Sequence, residues 1–399
     1  MNVETVRYQT VMRARSTLRQ FAVVTALIGA ASLALAKDTP PPPPDFFVPS
    51  PVPTTYPAPV RSSERMPAGY LDAIGRRLGL NPCNYAFSRR FGKPVDAVAL
   101  VEAKDNGCAL WESPTHPAVN SFLGSINVET TRIPIVGYAS LQTAPATSGA
   151  IVLNLVGGPA GDISPGLNDL IQEGLAARGA IVVKPAYAGT RHRSGYPKPD
   201  FDKAVWEVIR LIRSLHRTSP QSKIVLMGES LGGYIAAKVV ASAGDLPVSG
   251  LMLVVPLVYS PDRAIRNFHQ LAVDKHQGFT PLWIRSDPLS GSGTLPDRSP
   301  GQPVPEYRAI SSIDLFDAYF PKKGRTVGLL TYIAQSRGIP VLIAYGADDE
   351  RVGVGDLRNG AFKLPQVRLL ELHHTGHAID ASAARRIVNA TWSTFSLPE

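Results

Sequence analysis

The stretch Gly228-Glu229-Ser230-Leu231-Gly232 constrains this chain more than any other. The apolar run Lys223-Ile224-Val225-Leu226-Met227 before it predicts a buried parallel strand. Leu231, Gly233, Ala236, Ala237 and Val240 after it predict a helix with small residues on its packing face. A serine between strand and helix, flanked by glycines two residues either side, is forced into a tight, strained turn that lifts its hydroxyl clear of the sheet edge. The glycines are needed because Cβ atoms there would collide with the neighbouring strand and helix.

The rest of the chain alternates in the same way. Residues 131–141, 149–156, 180–185 and 250–258 read as strands, and residues 167–178 and 201–216 as helices. Residues 67–80 read as a short helix, with Leu71, Ile74 and Leu78 spaced for one face. Val205, Val208, Ile209 and Ile212 form the inward face of 201–216. Strands alternating with helices imply right-handed crossovers and an α/β fold, its mostly parallel central sheet flanked by helices.

Two later turns carry chemistry in a telling order. The apolar run 340–345 leads into Gly346-Ala347-Asp348-Asp349-Glu350-Arg351-Val352, and the run 367–372 leads into His373-His374-Thr375-Gly376-His377-Ala378. A serine hydroxyl is a poor nucleophile at neutral pH. It needs a histidine to take its proton and a carboxylate to hold that imidazole in the useful tautomer.

Residues 126–399 resemble the α/β-hydrolase superfamily: the elbow GESLGG, the acid turn GADDERV and the histidine turn HTGHAI all look like that family's motifs. The resemblance implies Ser230 as nucleophile and His377 as base, with His373 and His374 as rivals that would cap the strand or line the pocket. The family's G-x-x-D-x-x-V spacing selects Asp349 as the acid, with Asp348 the alternative.

An oxyanion hole requires backbone N–H groups aimed where charge develops. Leu231, next after the nucleophile, is the first candidate donor. The strand 151–156 followed by Gly157-Gly158-Pro159-Ala160-Gly161 supplies the second, Gly158 or its neighbour Gly157. This loop resembles the HGGPG and HGGP loops of prolyl iminopeptidases and prolyl oligopeptidase-like peptidases, with Val156 where those families place histidine.

The formal charge of +9 is spread among acids, with no aromatic-studded basic stripe, so nucleic-acid binding is not expected. Residues 1–36 have the parts of a secretory signal. Arg7, Arg13, Arg15 and Arg19 stand against Glu4, an apolar run covers 21–28, and Ala34-Leu35-Ala36 is a small-residue cleavage site. The apolar stretch is shorter than the ~20 residues of a membrane span, so no span is expected once the signal is removed. The prolines at 40–44, 49, 51, 53, 57 and 59 make residues 37–62 an extended linker. Export puts Cys83 and Cys108, the two cysteines of the chain, in an oxidising compartment and predicts a disulfide between them. On loop-closure entropy it would stabilise the fold by about 3.5 kcal/mol. No Cys-x-x-Cys or matched histidine spacing is present, so neither metal nor organic cofactor is expected.

The domain reading is then a cysteine-clipped extension (63–125), a first core segment (126–258), a cap or lid insertion (259–337) and a second core segment (338–399). The insertion breaks the alternation and carries Phe268, Phe279, Trp283, Phe316, Tyr319 and Phe320, read as walls of an apolar pocket.

These features point to an exported serine hydrolase acting on a small-molecule carboxylic ester. A secreted peptidase or aminopeptidase of prolyl oligopeptidase or prolyl iminopeptidase type, acting on a peptide substrate, stays open because of Gly157-Gly158-Pro159. A non-catalytic binding protein on the same fold is the third reading, and neither composition nor pattern points to an oligomeric state. If the signal is cut after Ala36, intact mass and N-terminal sequencing of the exported protein will show a chain beginning at Lys37.

Overall fold

The computed structural model describes residues 60–61, 69–82, 85–90, 97–102, 109–113, 116–141, 149–158, 161, 163, 169–190, 200–274, 282–285, 307–310, 312–336 and 338–398. The signal segment, most of the linker, Cys83 and Cys108 lie outside these residues, as do Phe279 and the glycine- and proline-rich run 286–306.

The strands are β1 (Val60–Arg61), β2 (Leu80–Pro82), β3 (Tyr85–Arg90), β4 (Ala97–Glu102), β5 (Ala109–Glu112), β6 (Val119–Val128), β7 (Thr131–Ser140), β8 (Ala150–Leu155), β9 (Ile181–Pro185), β10 (Lys223–Glu229), β11 (Gly250–Val254), β12 (Leu282–Arg285), β13 (Tyr307–Ile310), β14 (Val341–Gly346) and β15 (Val367–Leu372). The helices are α1 (Tyr70–Leu78), α2 (Leu170–Ala177), α3 (Phe201–Thr218), α4 (Leu231–Ser242), α5 (Pro261–Asp274), α6 (Ser312–Tyr319), α7 (Leu329–Ala334), α8 (Val354–Gly360) and α9 (Ala381–Phe395).

One sheet runs β1-β5-β6-β7-β9-β8-β10-β11-β14-β15, with β2 also paired to β6. From β9 to β15 all neighbours are parallel, whereas β5, β6, β7 and β9 pair antiparallel in turn. The inner parallel strands β8, β9, β11 and β14 are buried from end to end and mostly apolar, as strands covered on both faces must be, whereas the edge strand β15 is largely half-buried. The chain goes from β8 outward to β9, then returns to the other side of β8 for β10. Such a reversal opens a crevice at the strand ends, and there lie Gly157 after β8 and Ser230 after β10.

The sheet starts earlier in the chain than the motifs suggest. β1 lies inside the linker range, and β6 crosses the boundary read at 125/126, so the N-terminal extension and the core share one sheet. The helix read over 67–80 ends at Leu78. Gly79 caps it in the left-handed conformation (φ 63°), its N–H bonded to the Gly75 carbonyl, and Leu80 opens β2. The strand read over 250–258 ends at Val254, because Val255 has φ 39° and turns the chain.

Helices α2 and α9 pack together in one group, and α1, α3, α4 and α7 in another. α3 illustrates why the sequence folds locally as it does. Asp200 accepts the Lys203 N–H at 2.9 Å, while Val205, Val208, Leu211, Ile212 and Leu215 are buried, with Ile209 partly so. In the insertion, Phe316, Tyr319 and Phe320 are buried. The rings of Tyr319 and Phe320 meet Phe201 of α3, and that of Phe320 also meets Tyr234 of α4, at centroid distances of 5.0–5.9 Å, while Phe316 packs on Phe320 and Phe268. They anchor the insertion onto the helices, which corrects the pocket-wall expectation for Phe316 and Tyr319, whereas Phe320 lines a cavity of about 400 Å³ together with Phe201, Tyr234 and Tyr332. Among the described residues no helix is long and apolar enough to cross a membrane. Asp200→Ala, which removes the α3 cap, is expected to lower the unfolding free energy by about 1 kcal/mol in urea titration.

Candidate active site

Ser230 stands between β10 and α4 with φ 51° and ψ −118°, a conformation that costs a side chain-bearing residue about 1–3 kcal/mol. Its own N–H donates to the Val254 carbonyl (3.0 Å), and its carbonyl accepts from Gly233 (3.0 Å) and Leu257 (3.0 Å). A methyl on Gly228 would land on the Gly232 carbonyl, and one on Gly232 on the Leu155 carbonyl of β8. The two flanking glycines are thus required by close backbone approach, as the sequence implies.

The acid and histidine turns meet over this elbow. The Asp348 N–H donates to the Thr375 carbonyl (3.1 Å) and the Ala347 N–H to that of Leu372 (3.0 Å), tying the loop after β14 to the loop after β15. His377 Nε2 lies 3.1 Å from Ser230 Oγ, and His377 Nδ1 lies 2.8 Å from Asp349 Oδ2. Asp349 Oδ1 accepts the Arg351 N–H at 2.9 Å, and the Asp349 side chain is fully buried while that of His377 is 28% exposed. The alternatives fall away. Asp348 is exposed, and His373 is 69% exposed with its Nδ1 3.5 Å from Glu371. His374 is exposed with φ 56°. A cavity of about 380 Å³ beside His377 is lined by Asp348 to Arg351 and by Gly376 to Ala378.

Leu231 is the first residue of α4, where the N–H has no acceptor within the helix. The glycines after β8 sit close by. A Cβ on Gly157 would be 2.9 Å from Ser230 Cβ, whereas Gly158 (φ 69°) faces open space. Buried Tyr187 donates its hydroxyl to the Val156 carbonyl at 2.7 Å and so holds the start of this loop.

A buried polar cluster lies behind the elbow. Glu229 Oε1 accepts from Asn154 Nδ2 (2.8 Å) and Gln172 Nε2 (2.6 Å). Lys184 Nζ pairs with Asp169 at 2.7 Å, and Tyr138 donates to the same carboxylate. Burial pushes the Glu229 carboxyl above the usual range, opposed by the Lys184 charge and by the two amide donors. Sequence reading missed this cluster. Its signal is the pair Asn154 and Lys184, polar residues in the middle of otherwise apolar strands.

The α/β-hydrolase fold profile matches residues 166–379, more than half of the chain. The chain belongs to the α/β-hydrolase family. Several solved structures are similar to it. Est1E from Butyrivibrio proteoclasticus with ferulic acid bound is 13% identical over 68% of this chain and 99% of that one, with a TM-score of 0.47. An acylaminoacyl peptidase from Pyrococcus horikoshii is 13% identical over 76% of this chain and 47% of that one, TM-score 0.49. A fungal esterase from Rhizomucor miehei is 15% identical over 71% and 84%, TM-score 0.46. No curated protein matches the chain at a significant level.

The Gly232→Ala variant would press a methyl onto backbone that cannot swing away. It is expected to cost about 3 kcal/mol, the upper end for overpacking, in urea unfolding.

Proposed function

We propose that this α/β-hydrolase family member is an exported serine hydrolase that cleaves a carboxylic ester through an acyl-enzyme. The observation that carries the reading is the continuous relay from Asp349 through His377 to Ser230, at 2.8 and 3.1 Å. Asp349, locked at Oδ1 by the Arg351 N–H, offers Oδ2 to His377 Nδ1–H and so leaves Nε2 unprotonated toward Ser230.

In the first step Ser230 Oγ forms a bond to the ester carbonyl carbon while its proton passes to His377 Nε2. The carbonyl oxygen takes up negative charge, for which the Leu231 and Gly158 amides, with Gly157 as the alternative, are the assigned donors. The carbon–alkoxy bond then breaks, and the imidazolium returns the proton to the leaving alkoxide. Water attacks the acyl-enzyme in the second step, giving a proton to His377, and the bond to Oγ breaks as Ser230 is reprotonated. The N-terminal signal supports export, and the complete relay supports catalysis over a binding-only role.

A fluorophosphonate probe should label the wild-type protein and leave Ser230→Ala unlabelled. On p-nitrophenyl acyl esters, Ser230→Ala should lose about a million-fold in kcat and Asp349→Asn about ten-thousand-fold. A folded protein that resists the probe, or an Asp349→Asn variant with undiminished rate, rules this reading out. Fast turnover of aminoacyl or Gly-Pro anilides with negligible ester turnover rules out the ester assignment in favour of a peptidase.

A further inference from the structure

A second cavity, of about 400 Å³, lies where α3, α4 and the insertion meet, and none of Ser230, Asp349 and His377 lines it. Its apolar wall is Phe201 of α3, Tyr234 of α4, Phe320 just after α6 and Tyr332 of α7, all four buried. The Phe201–Phe320, Tyr234–Phe320 and Tyr234–Tyr332 ring centroids stand 5.0, 5.7 and 5.4 Å apart. The Tyr234 hydroxyl donates to the Val327 carbonyl at 2.7 Å, which fixes the wall to the insertion. Rings already packed in this way need little ordering around a guest, and they receive a flat ring in offset or edge contact.

The charged groups lining this cavity are Asp202, Lys238, Lys323 and Arg325. Arg325 is already paired: its Nε donates to Asp262 at 2.7 Å and its Nη2 meets Asp317. Lys238, one turn along α4 from Tyr234, is half-buried with its Nζ 5.0 Å from the centre of the Tyr332 ring. Among the described residues neither Lys238 nor Lys323 pairs with a carboxylate. Set against exposed Asp202, the two lysines leave one positive charge in excess. A cationic guest would be repelled there, and a neutral hydrocarbon would desolvate Lys238 without giving it a partner. An aromatic ring bearing a single carboxylate meets both demands, and a charge-assisted bond is about twice as strong as a neutral one. A mostly aromatic lining with a few placed polar groups, at this volume, is the composition of a small-molecule site.

We infer that this cavity is a second small-molecule site, separate from the nucleophile, that binds an aromatic carboxylate. The ring lies against Phe201, Tyr234, Phe320 and Tyr332, and the carboxylate is received by Lys238 and Lys323. The inference goes beyond the serine hydrolase reading and does not rest on it. Because α3, α4 and the insertion each supply part of the lining, a bound carboxylate ties the insertion to the helices and stabilises the folded protein by mass action.

The test is titration calorimetry of the purified protein at neutral pH with 2-naphthoate, its uncharged counterpart 2-naphthamide and the cation 2-naphthylmethylammonium. Naphthoate is expected to bind at least about tenfold tighter than the amide, with the cation weakest. Lys238→Met keeps an apolar stem over Tyr332 and removes the charge. It should weaken naphthoate about 10- to 100-fold and the amide less than about threefold. Lys323→Gln, at an exposed position, should weaken naphthoate about threefold or more without moving the unfolding midpoint of the free protein. In wild-type protein, saturating naphthoate should raise that midpoint and leave fluorophosphonate labelling of Ser230 intact. Absent naphthoate binding, equal affinity for naphthoate and naphthamide, or unchanged naphthoate affinity in the double variant, would overturn the inference. So would loss of labelling at saturating naphthoate, which would put the carboxylate at the nucleophile instead. Protein that never labels yet binds naphthoate through Lys238 upholds this site and removes the hydrolase reading, so the two fail separately.

Discussion

A residue bearing a side chain holds φ near +51° only where its surroundings over-determine it, and around Ser230 they do. Its N–H is taken by Val254 and its carbonyl by Gly233 and Leu257, so the peptide planes on both sides are pinned. Gly228 and Gly232 let the elbow, the start of α4 and the end of β8 touch backbone to backbone. The result is a hydroxyl aimed out of the sheet at the N-terminal end of a helix, whose first N–H groups and dipole favour negative charge there. The partner segment shares the strain: Val255, which follows β11, also has positive φ although it is β-branched.

From that fixed point the other groups follow by register. β10, β11, β14 and β15 lie side by side and parallel, so the loops leaving their C-terminal ends emerge on one edge. The acid and histidine turns are then cross-tied by the Ala347 and Asp348 N–H groups. The tie brings groups 147 residues apart in sequence, Ser230 and His377, within hydrogen-bond reach. Asp349 is held from within its own turn by Arg351, which leaves a single oxygen for the imidazole.

What the sequence displayed was what short-range chemistry encodes. Strand, glycine-flanked serine and helix are contiguous, and the resemblance to the family's acid turn implies Asp349 over Asp348, which the structure leaves exposed. Helix α3 shows its inward face directly, while its Asp200 cap went unread. Long-range pairings were less legible. That β6 and the short strands before it extend the sheet depends on partners distant in sequence, and β1 is two residues long. The aromatics of the insertion gave a composition without a destination. Phe316 and Phe320 could wall a pocket or bury in the core; Phe316 buries against Phe320 and Phe268, and Phe320 packs on Phe201 while also lining a cavity. Glu229 was hidden in plain view, occupying a motif position read only for its spacing, while its partners come from β8 and α2.

The polar cluster behind the elbow is costly by ordinary stability arguments. A buried lysine–carboxylate pair is often matched or bettered by apolar residues of similar size, and each orphaned amide oxygen costs about 1–3 kcal/mol. Lys184 and Asp169 at least satisfy one another, with Tyr138 closing the group. Asn154 and Gln172 do not reach that state: each turns its N–H toward Glu229 and leaves its own oxygen unmatched. A scaffold needing only volume there would be better served by leucine or methionine. What the arrangement does achieve is to tie the residue before the nucleophile, through one carboxylate oxygen, to β8 and to α2.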